Sequence, residues 1–139
     1  DYAWIRRANV TLNRFMMFIF LLIVVMTVAS PWVYRIWIGD KATVPFGMTL
    51  LVGVYEFILI VSTRYSFVLN GIGKLKLQLY VTIAVALAYI PLAVLVVGQT
   101  RDIHMLLVVM CVVNLPGLVV NAIQYHKVIQ GTATGIWSK

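Results

Sequence analysis

Four stretches of this chain are each long and apolar enough to cross a membrane as a single helix: Phe15 to Tyr34, Phe46 to Asn70, Leu77 to Val97 and Ile103 to Tyr125. A spanning helix needs about 20 mostly apolar residues at ~1.5 Å rise each. The composition agrees, because 63% of the 139 residues are hydrophobic and only 11% are charged. The mean hydropathy of +0.99 excludes an ordinary soluble domain. The expected fold is therefore all-α, a polytopic membrane bundle of four helices followed by a tail over residues 126–139.

The first fourteen residues, Asp1 to Arg14, lack the short apolar core and small-residue cleavage site of a signal peptide. They open on Asp rather than Met and read as the tail of a preceding loop, so the expectation is a fragment whose N-terminal part is missing.

The formal net charge of +7 invites a nucleic-acid reading, yet the Lys and Arg residues lie between the spans rather than on one water-exposed face. Membrane orientation explains them better. Arg6, Arg7, Arg14, Lys74, Lys76, Lys127 and Lys139 fall on one side, against Arg35, Lys41 and Arg101 on the other. By the positive-inside rule both ends of the chain are cytoplasmic. Trp32, Tyr34, Trp37, Tyr80 and Tyr125 sit near span ends, where amphipathic rings reach headgroup depth. Trp4 and Ile5 beside Arg6 and Arg7 suggest an entry segment lying along the inner surface.

Pro45 precedes the second span, where a missing N–H costs nothing. Pro31, Pro91 and Pro116-Gly117 lie inside spans, where each proline frees a carbonyl that a neighbour or cavity water must satisfy.

The second span carries Glu56 near its middle and Arg64 towards its end. An ionisable side chain at membrane depth costs at least ~2.5 to 3.5 kcal/mol on insertion scales, which makes both residues functional candidates. Thr49, Glu56, Thr63 and Asn70 recur every seven residues. At ~100° per residue they share an arc of roughly 60°, a polar stripe expected to face other helices or a water-filled cavity. Arg64 lies about 12 Å nearer the cytoplasmic boundary and can snorkel there. Glu56 is thus the candidate coupling or cavity residue, with Thr49, Thr63 and Asn70 beside it; Arg64, Lys74 and Lys76 are candidates for an anionic headgroup.

Asn114, Gly117, Asn121 and Gln124 in the fourth span follow spacings of three, four and three, a face that packs helices and offers Asn114 and Asn121 as a secondary cavity lining. Thr82 and Tyr89, and the small-residue pair Ala84 and Ala88, mark the third span for helix contact. Cys111 is alone, and His104 and His126 stand near opposite ends of one span, so no metal site is expected. Gly71-Ile72-Gly73 follows no strand and is not a nucleotide loop. No nucleophile, base and orienting group combine into an active site, so neither an enzyme nor a cofactor is expected.

The segment Asn70-Gly71-Ile72-Gly73-Lys74-Leu75-Lys76-Leu77-Gln78, joining two spans, resembles the late loop of polysaccharide flippases. These are lipid-linked oligosaccharide exporters of the multidrug/oligosaccharidyl-lipid/polysaccharide superfamily. Asp1-Tyr2-Ala3-Trp4-Ile5, Arg35-Ile36-Trp37-Ile38-Gly39-Asp40, and Gln124-Tyr125 with Gly135-Ile136-Trp137-Ser138-Lys139 resemble further segments of that family in the same order. The resemblance implies the last four of about twelve helices in a two-lobed alternating-access transporter of a bacterial cytoplasmic membrane. Its cargo would be an oligosaccharide on polyprenyl pyrophosphate, and its partners the membrane lipids and the missing N-terminal helices. A small-molecule or drug antiporter of the same superfamily is the main alternative. A membrane-embedded polymerase or ligase is disfavoured by outer connections too short to carry reactive groups.

Overall fold

A computed structural model describes residues 2–138, with side chains from Val10 onwards except that of Asp40. Asp1, Lys139 and the side chains of Trp4, Ile5, Arg6 and Arg7, which entered the charge comparison, the surface-segment expectation and the family motifs, lie outside the described residues. Four helices follow one another: α1 Tyr2–Trp37, α2 Phe46–Gly71, α3 Lys76–Thr100 and α4 Ile103–Ile129. Short 3-10 turns occupy Gly39–Lys41 and Gly135–Ser138, and the described residues contain no strand. All four helices are long and apolar enough to cross a membrane. The protein is an all-α, multi-pass membrane chain.

The helices exceed the apolar runs that mark them. The entry segment continues into α1 from Tyr2, and α4 extends one turn past Tyr125 to Ile129. Once a helix exists, each further residue adds a hydrogen bond without a new nucleation cost, so its polar flanks wind on. Large apolar side chains such as Phe67, Leu87, Ile90 and Val94 are exposed. Lipid tails are as apolar as these side chains, so leaving them outside forfeits little.

The chain divides into two compact units, one ending at Gly53 and one beginning at Val54. In the first, α1 carries Pro31 without breaking. A proline removes the donor to the carbonyl four residues back, here that of Thr27. The Ser30 hydroxyl donates to that carbonyl at 2.8 Å, and both residues are buried. Ser30→Ala is expected to lower stability by about 1 kcal/mol. Ser30→Ala/Pro31→Ala should recover most of the loss, because an alanine N–H restores the ordinary helical bond; thermal denaturation in detergent reads both variants. Close packing in this unit is at Gly53, where a Cβ would lie 2.8 Å from Thr27 Oγ1.

In the second unit α3 packs against α4, and the 3-10 turn at Gly135–Ser138 folds back onto both. The ends of α2 and α4 share one device. Gly73 and Gly131 adopt φ of +74° and +71°, a conformation that favours glycine. Lys74 N–H donates to Leu69 and Gly73 N–H to Asn70, while Thr132 N–H donates to Lys127 and Gly131 N–H to Val128. These paired reverse bonds satisfy terminal carbonyls and turn the chain sharply.

Two residues suffice to join α3 to α4. Arg101 ends α3 with φ +52°, and Asp102 caps α4 by accepting from the His104 N–H at 2.9 Å. The His104 ring also places Nδ1 2.7 Å from the same carboxylate oxygen. The backbone hydrogen bond from His104, then the ring's hydrogen bond and charge, hold Asp102 below the usual carboxylate range. A depressed folded pKa stabilises fully above the unfolded value and loses that contribution as pH falls through the folded one. The melting-temperature difference between the parent chain and Asp102→Ala should therefore shrink as the buffer is made more acidic than the ordinary value of 3.8.

Ala84 and Ala88 are exposed, so the small-residue pair of α3 does not carry a contact in this unit. The close helix approach falls instead at Gly117, whose Cβ position is 3.5 Å from Val81 on α3. Tyr125, near the end of α4, packs inside this unit. It is buried, with its ring centroid 5.2 Å from that of Tyr65 and 5.4 Å from that of His126.

Candidate functional site

The inward face of α2 in the second unit is Ile58, Ser62, Ser66 and Leu69, spaced by four, four and three residues. Two of those positions are hydroxyls, in a helix whose other inward groups are apolar. Asn121 of α4 meets them, its amide nitrogen donating to Ser62 Oγ and Ser66 Oγ, each at 3.1 Å. Ser66 and Asn121 are buried, so these bonds form largely out of contact with solvent. α2 and α4 are thus joined by side-chain hydrogen bonds, where apolar contact alone would gain little over contact with lipid.

Beside this seam lies a cleft of about 190 Å³ lined from α2, α3 and α4. Its polar side chains are Ser62, Ser66, Gln78, Thr82, Asn114 and Asn121, and none of its lining residues is charged. Gly117 forms part of the wall, and a Cβ there would lie 3.5 Å from Val81, another lining residue. Asn114 turns its amide nitrogen onto the Met110 carbonyl at 2.8 Å. The amide oxygens of Gln78 and Asn121 are buried without a hydrogen-bond partner. A buried acceptor left unpaired costs ~1 to 3 kcal/mol, so these two oxygens call for a donor.

The polar stripe read from the sequence occupies another face of α2. Glu56, Thr63 and Asn70 are exposed, while Thr49, in the first unit, is half-buried with its hydroxyl oxygen unpartnered. Neither Glu56 nor Thr63 lines the cleft. Arg64 is half-buried and lays its guanidinium over the Tyr65 ring, 5.4 Å from the centroid. Asn114 and Asn121 both line the cleft. Ser62 and Ser66 were not singled out in the sequence, and Gln78 entered only as the last residue of the flippase-like loop. The signal for the two serines is the Ser-x-x-x-Ser spacing, which puts two small hydroxyl side chains on one face.

Lys74 and Lys76 part company in space. Lys76 is exposed at the start of α3, whereas Lys74 is half-buried and donates its ammonium to the Ser138 carbonyl. The tail is held at two further points. Lys127 places its ammonium over the Trp137 ring, 4.7 Å from the centroid, and Gln124 donates to the Trp137 carbonyl at 3.4 Å. Cation and ring attract through the ring quadrupole, by about 0.5 to 1 kcal/mol at an exposed site.

Among the described residues no group of three or more His, Cys, Asp or Glu side chains is arranged to hold a metal. Comparison of the chain with protein-family models, with curated proteins and with solved structures finds no match.

Proposed function

We propose that this chain is part of a bacterial cytoplasmic-membrane transporter that flips polyprenyl-pyrophosphate-linked oligosaccharide towards the outer surface, with both chain ends cytoplasmic. The observation that carries the reading is a polar, uncharged cleft among helices long and apolar enough to cross a membrane. A helix bundle serving only as an anchor has no use for orphaned amide oxygens in its interior, since each one costs stability. The resemblance of the loop from Asn70 to Gln78 to that of polysaccharide flippases supplies the cargo class.

On this reading the chain performs no bond chemistry. Its work is to lower the cost of carrying hydrated sugar past a hydrocarbon core, by replacing lost water contacts with protein hydrogen bonds. Glu56 serves as the coupling or cavity residue on the outward face of α2, where further helices of the transporter would meet it. Arg64 and Lys76 remain the cations for the pyrophosphate, and Lys74 joins them only after releasing Ser138.

Deleting the gene from cells that make a surface polysaccharide should abolish export and accumulate the lipid-linked intermediate; normal export would sink the reading. In full-length protein at matched abundance, Glu56→Ala should lose most export. Arg64→Ala should export poorly and Arg64→Lys should recover, because a headgroup cation needs charge more than a planar fork. Lipid extraction and surface-glycan staining measure both ends of the reaction.

A further inference from the structure

We propose that the cleft between α2, α3 and α4 is a binding site for one uncharged sugar ring. Its volume, about 190 Å³, is the space of about six waters at ~30 Å³ each. That suits a single hexose and falls below the ~300 Å³ at which drug-sized pockets begin.

The lining sets the ligand's charge. With no ionised side chain in the wall, an anion or cation entering the cleft would lose hydration without gaining a counter-charge. Pyrophosphate is therefore held elsewhere, and the cleft takes a neutral group.

The amides set its chemistry. Asn121 is 5% exposed and uses its nitrogen on two serine hydroxyls, leaving its oxygen unpaired. Turning the amide over would let the serines donate to the oxygen, but would then orphan the nitrogen. One end of this side chain needs an outside partner in either orientation, and the Gln78 oxygen needs one as well. A hydroxyl both donates and accepts, so it satisfies either arrangement. Ile58, Val81 and Val85 complete the wall with apolar surface, which matches the C–H faces of a sugar ring whose edges are polar.

This assignment rests on the flippase reading for the source of the sugar, and the site would read one ring of the cargo glycan. The test is saturation-transfer NMR on full-length protein in lipid nanodiscs, using glucose, galactose, N-acetylglucosamine and the charged control glucuronate. At least one neutral sugar should give a saturable signal and glucuronate none. Gln78→Met, which keeps side-chain length and removes the acceptor, should weaken binding roughly tenfold, the loss of about one hydrogen bond. Gly117→Leu, which fills the cleft from a different helix, should abolish it. Each variant must melt as a folded protein for its result to count, and Gln78, half-buried at the edge of the seam, is the safer of the two.

No saturable signal from any neutral sugar overturns the proposal, leaving the cleft a hydration site. Equal binding of glucuronate, or full binding by folded Gln78→Met and Gly117→Leu, overturns it too. Sugar binding without intermediate accumulation in deleted cells supports the cleft and removes the flippase reading. Accumulation without sugar binding does the reverse.

Discussion

Asn121→Leu should destabilise the chain by about 1 to 3 kcal/mol in detergent, the sum of two interhelical bonds at ~0.6 to 1.7 kcal/mol each. The lower membrane value decides the magnitude here, because the separated helices also find partners for their polar groups, and serine hydroxyls can turn back onto their own helix carbonyls. Leucine brings no compensating hydrophobic gain, since lipid is as apolar as the seam it would enter. The effect should be non-additive. Once Asn121 is gone, Ser62→Ala/Ser66→Ala should cost almost nothing further, whereas in the parent chain the same pair should cost nearly as much as Asn121→Leu. The bonds that predict this coupling are the two 3.1 Å contacts from Asn121. Thermal and denaturant melts of the four proteins measure the cycle, and strictly additive losses would show that the seam is not a hydrogen-bonded unit.

That seam also marks the border of what the sequence could disclose. The helices themselves were legible, because continuous apolar runs leave a membrane helix as the economical structure, and Pro45 and Gly73 punctuate α2 for local backbone reasons. Helix faces were harder. A seven-residue repeat drew attention to Thr49, Glu56, Thr63 and Asn70, yet periodicity reports only that residues share a face and not which neighbour that face meets. In soluble proteins the apolar face points inward; in a membrane chain both faces are apolar and that guide disappears. The 3-4-3 spacing from Asn114 to Gln124 suffered less, because Gly117 and Asn121 are small enough to allow close packing, and that face turns inward. The tail was not readable at all. Its contacts pair Lys74 with Ser138, and Lys127 and Gln124 with Trp137, groups brought together only by the turn after α4.

Gln124→Met should move stability in the opposite direction to Asn121→Leu, raising it by about 1 to 2 kcal/mol. The two amides are three residues apart on α4, both buried and each with an unpaired oxygen, but the Asn121 nitrogen makes two bonds at 3.1 Å. Gln124 is fully buried; its oxygen has no partner and its nitrogen reaches the Trp137 carbonyl only at 3.4 Å. That distance lies beyond the ~2.7 to 3.2 Å of a well-formed N–H to oxygen bond, so most of the amide's desolvation cost is uncompensated. Methionine keeps the unbranched shape and removes both polar atoms, which makes it the substitution least confounded by packing. The tail should stay docked, because Lys127 still lies over the Trp137 ring and Lys74 still donates to Ser138. Unchanged Trp137 emission alongside a raised melting temperature would show that Gln124 weakens the fold without being needed to hold the tail. A lowered melting temperature would show instead that the oxygen is satisfied by an ordered water, and the base of α4 would then be a hydrated site in its own right.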